Sequence, residues 1–424
     1  MAPFEDDLPA LRTAVPGPRS RALAARLARV ESRNVTCLDP EPIFWARARG
    51  ANVWDVDDNR YVDLGAAFGV ANVGHAHPRV LRAVTGQAGA LLHGMGDVHP
   101  SAVKVELLEA LAQRFPGGGP ARAVLGSSGS DAVEIALKTA ALATGRAGVV
   151  AFEGAYHGLA IGALDATRRE EFRAPFAARL AHATAFAQFG VADDARRAAA
   201  DCRAPVGAVI VEPIQGRGGE RVPPAGFLAA LRRVCDAEGW LLIADEIYTG
   251  FGRTGAWFAC EHEGVRPDLL CVGKGLASGM PISACIGRAE VMDAWPASRG
   301  EALHTQTFLG HPPACAAALA TLAVLEEEKL VARAAEVGAR ALDRLRGATA
   351  GLASVSEVRG RGLLLGVECL GPEIARAATL GLLARGVIAL AAGDDARVIA
   401  LSPPLSIGQD ALDFALDALA AELS

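Results

Sequence analysis

The sequence predicts an α/β protein, with a large domain built on a mostly parallel, mixed sheet covered by helices and a smaller α+β domain drawn from both chain ends. Three observations predict it. From about His99 onward, helical stretches such as SAVKVELLEALAQRF, SDAVEIALKTAALATG and PAGFLAALRRVCDAEG alternate with the short apolar runs GVVAF, VGAVIVE, WLLIADEI, DLLCVG and SACIG. That is the order of βαβ units. The runs have no polar face, as strands covered on both sides require. At 424 residues the chain also exceeds the size at which one core stops growing, so a second domain and a cleft are expected.

Taken in order, the start MAPFEDDLPA is acidic and proline-containing and has neither the basic flank nor the apolar core of a secretory signal. Arg19 to Val30, RSRALAARLARV, is a basic amphipathic helix, read as a surface helix covering the next domain rather than as an organelle transit peptide. Ala51 to Leu64 alternates apolar and polar residues around Asp57-Asp58-Asn59, which predicts a hairpin. One long helix is expected after His311-Pro312-Pro313, leading out of the sheet domain. VSEVRGRGLLLGVEC, GVIAL and RVIALSPPLSI then return to short strands before a closing helix. The expected division is residues 1–70 for the N-terminal part of the small domain, 71–325 for the large domain and 326–424 for the C-terminal part of the small one.

Composition narrows the function. Hydrophobic residues make up 51% and charged residues 21%, ordinary globular usage, and the apolar stretches stop well short of a membrane span. A net charge of -6 over this length gives no strong field and no basic stripe interleaved with aromatics, so neither nucleic acid nor membrane is an expected partner. The eight cysteines are scattered without a Cys-x-x-Cys pair, which suits reduced thiols in a cytoplasm.

In open α/β sheets ligands bind at the carboxyl ends of the strands. Glu212, Asp245, Glu246 and Lys274 each close an apolar run. An amine held in an apolar wall has a lowered pKa and becomes a nucleophile toward a carbonyl, and the product of that attack is a Schiff base. LGSSGSDAVEIALKTA, Leu125 to Ala140, passes from a strand end through a Gly/Ser loop into a helix with Ser128 and Asp131 at its cap. Such a helix start offers free N–H groups to a phosphate, and the Ser128 and Ser130 hydroxyls add donors. It is neither a P-loop nor a Gly-x-Gly-x-x-Gly turn. Phosphate site, amine and carboxylate in one cleft describe pyridoxal 5'-phosphate.

From GANVWDVDDNRYVDL to ALSPPLSI, nearly its whole length, the chain resembles the class III pyridoxal-phosphate-dependent aminotransferases of fold type I. The stretches that carry the resemblance are VEPIQGRGGERVPPAGFLAALRRVCDAEGWLLIADEIYTGFGRTG, PDLLCVGKGLASGMPISACIG and HTQTFLGHPPACAAALA. The resemblance implies that Lys274 is the Schiff-base lysine, that Asp245 pairs with the pyridine nitrogen, and that Ile247 and Tyr156 pack on the two ring faces. It implies that Ser128, Gly129 and Ser130 hold the phosphate, with Thr307 reaching it from a neighbouring subunit of a homodimer whose active sites lie at the interface. His157 is implied as a hydrogen-bonding neighbour of the cofactor, and Glu212 as a nearby group holding Tyr156, His157 or a substrate-binding arginine. The expected partners are a small-molecule amino donor, an amine or amino acid, and a carbonyl acceptor, a keto acid or aldehyde.

Other readings use similar residues. A racemase, epimerase or aminomutase of the same fold needs nearly the same set. A non-catalytic cofactor-binding regulator is disfavoured because no helix-turn-helix appendage is present, and a nicotinamide enzyme because the glycine fingerprint is missing. His75-Ala76-His77 lacks accompanying ligands of metal spacing, so no metal is expected. For Trp45, Trp54, Phe68 and Met95, core packing is preferred over pocket lining.

Two positions depart from the family pattern. Tyr248 stands where many relatives have glutamine near the cofactor's ring hydroxyl, and a phenol can donate the same hydrogen bond. Ala400, in VIALSPPL, stands where relatives acting on ornithine or 4-aminobutyrate carry an arginine that clamps a substrate carboxylate. Losing that charge-assisted bond removes on the order of 1.5–3 kcal/mol. Either Arg397 or Arg217 takes its place, or the substrate is an amine, amino sugar or hydrophobic amino compound.

Overall fold

A computed structural model describes residues 6–424; residues 1–5, and with them half of the acidic start, lie outside the described residues. The expected hairpin forms from β2 (Asn52–Asp55) and β3 (Arg60–Asp63), preceded by β1 (Trp45–Arg49), which pairs antiparallel with β2. Its turn is organised by the Asp55 carboxylate, which accepts from the N–H groups of Asp57 and Asn59, the Asn59 amide and the Tyr61 hydroxyl at 2.7–2.9 Å. The basic helix, Pro18–Val30, docks its first turn on this hairpin: Asp57 accepts from the N–H groups of Arg19 and Ser20 and from the Ser20 hydroxyl.

The large sheet contains β4 (Ala121–Gly126), β5 (Gly148–Phe152), β6 (Thr184–Ala187), β7 (Val206–Val211), β8 (Leu241–Asp245), β9 (Leu269–Val272) and β10 (Ser283–Arg288). Their order is β4-β10-β9-β8-β7-β5-β6. β10, the SACIG run, is antiparallel to both neighbours; all other pairings are parallel. The strands are apolar throughout because each feeds two cores. Val150, Phe152, Val209, Val211, Leu242, Ala244, Leu270 and Val272 face one core. Val149, Ala151, Ala208, Ile210, Ile243, Leu269 and Cys271 face the other. The period-2 alternation is present but joins apolar to apolar, as expected of a sheet buried on both faces.

Beyond the large sheet, β11 (Val355–Arg361), β12 (Leu364–Cys369), β14 (Leu390–Ala392) and β15 (Val398–Leu401) form an antiparallel sheet in the order β11-β12-β15-β14. The short β13 (Val387–Ile388) instead joins the N-terminal sheet, parallel to β3, so residues from both chain ends share one sheet. The single long helix expected after Pro313 is two helices, Pro312–Glu327 and Leu330–Thr349. They are broken at Lys329, whose left-handed conformation (φ 52°) redirects the chain. Trp45, Phe68 and Met95, expected in a core, are exposed at 42%, 58% and 57%. Among the described residues no helix is long and apolar enough to cross a membrane.

Replacing Asp55 by Ala removes the acceptor of four buried donors and is expected to destabilise the chain by about 2–4 kcal/mol. A thermal or urea midpoint unchanged from wild type would refute the hairpin's role.

Candidate active site

The strand order brings the carboxyl ends of β4, β5, β7, β8 and β9 to one edge of the sheet. Asp245 is the last residue of β8, Glu212 follows β7, and Lys274 lies just beyond β9. Register aligns Val211 with Ala244 and Asp245 with Cys271, so the two carboxylates and the amine are neighbours across adjacent strands. Lys274 has φ 31°, a conformation that side chains other than glycine rarely adopt, with strain of about 1–3 kcal/mol.

Around its amine the surroundings are crowded. Lys274 Nζ lies 3.7 Å from the centroid of the Tyr248 ring and makes no hydrogen bond or ion pair among the described residues. Desolvation pushes the amine down to about 8, against the opposing pull of Glu212 and Asp245. The Tyr248 ring is fixed because glycine stands on two sides of it; a Cβ at Gly69 or Gly216 would collide with it. Its hydroxyl bonds the Ser402 hydroxyl at 2.9 Å. The residue therefore meets Lys274 with its ring face, and its phenol is committed to Ser402 rather than free for the cofactor as the sequence suggested.

Asp245, 4% exposed, is held by two donors. His157 Nδ1 lies 2.7 Å from Oδ2, and the Ile247 N–H donates to Oδ1 at 3.1 Å. His157 is itself placed by its N–H, which donates to Thr167 Oγ1, while its Nε2 is buried without a partner among the described residues. Glu212 accepts from the N–H groups of Tyr156 (3.0 Å) and Gly216 (3.1 Å). Of the three roles open to it, the structure supports holding Tyr156, through its backbone. Burial pushes Glu212 up to about 7, the two N–H bonds opposing.

Glu246 is separate from this set. It is fully buried and accepts from the N–H groups of Ala259 and Cys260 and from the Thr249 hydroxyl, all in the segment that follows it. It is a structural carboxylate.

At the helix Gly129–Thr144 the expected N-terminal cap is present: Asp131 accepts from the Ser127 and Ser128 N–H groups, and Ser128 Oγ accepts from Asp131. The N–H groups of Gly129 and Ser130 have no acceptor among the described residues, so the helix start presents free donors to an anion. Ile247 packs close by; a Cβ at Gly129 would lie 3.0 Å from its Cδ1. Gly158 (φ +119°) approaches Ser130 where a side chain would clash. Tyr156, partly buried, carries the Arg217 guanidinium over its ring at 5.2 Å and the Phe172 ring edge-on at 5.9 Å. Thr307 is exposed on the single chain, and its neighbour Gln306 accepts from the Ser127 hydroxyl at 2.8 Å beside the helix start. His75 and His77 reach different carboxylates, Asp63 at 2.8 Å and Glu328 at 3.2 Å.

Free anion donors, a desolvated amine, a buried carboxylate with a histidine behind it, and an apolar wall at Ile247 fit a phosphorylated aromatic aldehyde with a basic ring nitrogen. The fold and site are those of a fold type I pyridoxal-phosphate enzyme. The Aminotransferase class-III family model matches residues 36–423, and the chain belongs to that family. It is 41% identical to the 4-aminobutyrate aminotransferase of Mycobacterium tuberculosis over 98% of both chains. It is 38% identical to the acetylornithine aminotransferase of Methanosarcina mazei, covering 89% of this chain and 91% of that one. The ornithine aminotransferase of Toxoplasma gondii superposes with a TM-score of 0.87 at 32% identity, covering 95% and 94%. The protein is a pyridoxal-phosphate-dependent aminotransferase acting on small molecules.

Sequence reasoning named Arg217 only as one of two alternatives to the missing arginine, and it missed Glu220 and Asn72, which come from a loop and an N-terminal turn; only the glycines of QGRGGE signalled a tight, crowded backbone around Glu220.

Glu246→Gln keeps one acceptor oxygen, turns an amide N–H₂ against at least one of the three donors, and is expected to lower stability by about 2–3 kcal/mol. The absorption spectrum of the bound cofactor should stay as in wild type. A changed spectrum with unchanged stability would overturn the structural assignment.

Proposed function

We propose that Lys274 is the residue that holds the cofactor covalently through Nζ and that shuttles the substrate proton, with Asp245 as the partner of the ring nitrogen. The observation that carries this reading is the joint placement of a desolvated amine and a buried, histidine-backed carboxylate on adjacent strands. When bound, pyridoxal phosphate supplies an electron sink for the charge left by a departing C–H proton. The chain's own residues do the rest. Asp245, as a carboxylate, holds a proton on the ring nitrogen, and His157 keeps that carboxylate oriented. Gly129 and Ser130 offer N–H groups to the phosphate, while Ile247 and Tyr156 fix the ring plane. Released Lys274, about half neutral at pH 8, accepts the substrate proton and returns it one atom away.

Relatives named for 4-aminobutyrate, acetylornithine and ornithine support transfer from a terminal amine to a carbonyl acceptor as the reaction, in preference to racemisation. The homodimer with shared sites is part of the same proposal. Leu91, Leu92, Met95, Val98, Leu303 and Phe308 are exposed apolar side chains. They lie on two segments that touch each other through His93 and Phe308, 5.2 Å apart, and through Thr305 and Asp97. A covering subunit would bury this patch and would bring its own Thr307 near the phosphate donors. Eight unpaired cysteines, six of them buried, support a reducing cytoplasmic setting.

Lys274→Ala is expected to leave no pyridoxyl label after hydride reduction and to abolish conversion of the cofactor to its amine form. Asp245→Asn should keep bound cofactor but slow that conversion by about 10²–10³-fold; a near wild-type rate would refute its role.

With the Lys274 amine at about 8, its neutral fraction grows as pH rises through that value. Covalent uptake of the aldehyde by the ligand-free chain should therefore quicken between pH 6 and 8 and level off above about 9. A rate that kept climbing toward the ordinary lysine value of about 10.4 would show an unperturbed amine.

A further inference from the structure

Ala400 leaves β15 without a cation for a substrate carboxylate. It is 7% exposed and pairs with Gly366 of β12 on one side and Leu390 of β14 on the other. The arginines of the surrounding segments are committed elsewhere. Arg397 is held by Asp395 at 2.6 Å, Arg359 by Glu357 and the Gly219 carbonyl, and Arg221 and Arg169 face Asp394. Arg253 is buried among the carbonyls of Leu363 and Pro403 and the Asn72 side chain. Arg217 differs from all of these: its side chain is exposed and makes no hydrogen bond or ion pair among the described residues.

Its position is nevertheless fixed. The backbone from Gly216 to Gly219 is closely packed: a Cβ at Gly216 would strike the Tyr248 ring, one at Gly218 would lie 2.7 Å from the Gly154 carbonyl, and one at Gly219 (φ +102°) 2.9 Å from Val398. The Gly393 N–H donates to the Arg217 carbonyl at 3.0 Å. A single long side chain thus projects from an immobilised loop, with its guanidinium 5.2 Å over Tyr156 and 5.8 Å over Phe172. Its charge reaches Lys274, Tyr156 and Tyr248. Arg stacked on an aromatic face keeps its in-plane N–H groups available for a carboxylate.

We propose that Arg217 is the specificity-determining residue that binds the substrate's carboxylate, so that the donor class is a terminal amine carrying a carboxylate at its far end. This rests on the reading of Lys274 as the reacting residue. The neighbouring carboxyl of Glu220 does not cancel the guanidinium. It is 1% exposed, Oε2 has no partner among the described residues, and burial pushes it well above the usual carboxylate range, which disfavours its charged form.

The test compares holoenzyme and the variants Arg217→Met and Arg217→Lys with two pairs of donors, 4-aminobutyrate against butylamine and 5-aminovalerate against pentylamine. Conversion of the bound cofactor to its amine form is followed spectroscopically. In wild type kcat/KM should favour the carboxylate donor; in Arg217→Met that preference should fall at least about tenfold, through KM rather than kcat. Arg217→Lys should recover part of it, because an ammonium supplies the charge without the fork. Valerate, which carries no amine, should bind at least about tenfold more weakly to the Met variant by calorimetry. A wild-type enzyme indifferent to the carboxylate, or a Met variant that keeps the preference, overturns the assignment. Absence of a pyridoxyl label at Lys274 in the reduced wild-type holoenzyme overturns the underlying reading, and this one with it.

Discussion

The proposed chemistry depends on keeping one lysine amine out of water without giving it an ion-pair partner. A salt-bridged lysine would stay charged and inert; a fully solvated one would be protonated at neutral pH. Lys274 avoids both, because its nearest neighbour is the face of the Tyr248 ring, while Glu212 and Asp245 act on it through space only. The turn that holds it is pinned on the far side. A Cβ at Gly275 would lie 3.0 Å from Asn72, whose amide donates to the Phe251 carbonyl and accepts from Arg253. Arg253 in turn reaches the carbonyls of Leu363 and Pro403. The lysine turn is thus tied to segments more than a hundred residues away in both directions.

Arg253 shows what that tie requires. It is 1% exposed, and burial pushes its guanidinium down to about 10, yet it has backbone carbonyls and an amide oxygen in place of a carboxylate. A buried cation satisfied by neutral acceptors is held by geometry, and leaving it unpaired would cost several kcal/mol. The same logic separates the two adjacent acids. Glu246 has three donors, all in the loop that follows it, whereas Asp245 has two, His157 and the Ile247 N–H. Adjacent side chains on a strand end point to opposite sides, so one faces the site and the other anchors the loop.

The residues legible in sequence were those whose role is local. Asp245, Lys274 and Glu212 end apolar strands, and Ser128 begins a helix with Asp131 in its first turn; a strand end and a helix cap are both written within a few residues. The parallel sheet was legible for the same reason, although the direction of β10 was not, since an apolar hexapeptide reads alike either way. What could not be read depends on contacts between distant segments. The break at Lys329 lies inside a run of good helix formers, and the left-handed residue there follows from how the two helices pack on different parts of the molecule. The Tyr248 hydroxyl seemed free for the cofactor because its partner, Ser402, is 154 residues away. Arg217 and Arg397 stood as equal alternatives in the sequence; the pairing of Arg397 with Asp395 is local, but the placement of Arg217 over Tyr156 is a contact between distant segments.

The substrate end of the cleft shows how charge can move between elements while the reacting end stays put. A side chain from β15 would approach from the sheet of the C-terminal residues, whereas Arg217 approaches from the loop after β7, on the large sheet that also carries Lys274 and Asp245. The backbone of that loop is held from two sides, by Tyr248 and Gly154 on one and by Val398 and the Gly393 N–H of the C-terminal residues on the other. The Arg217 guanidinium also sits over Tyr156, 5.2 Å from the ring centroid. On the role proposed for Arg217, the length of chain between amine and carboxylate is the quantity that the site selects.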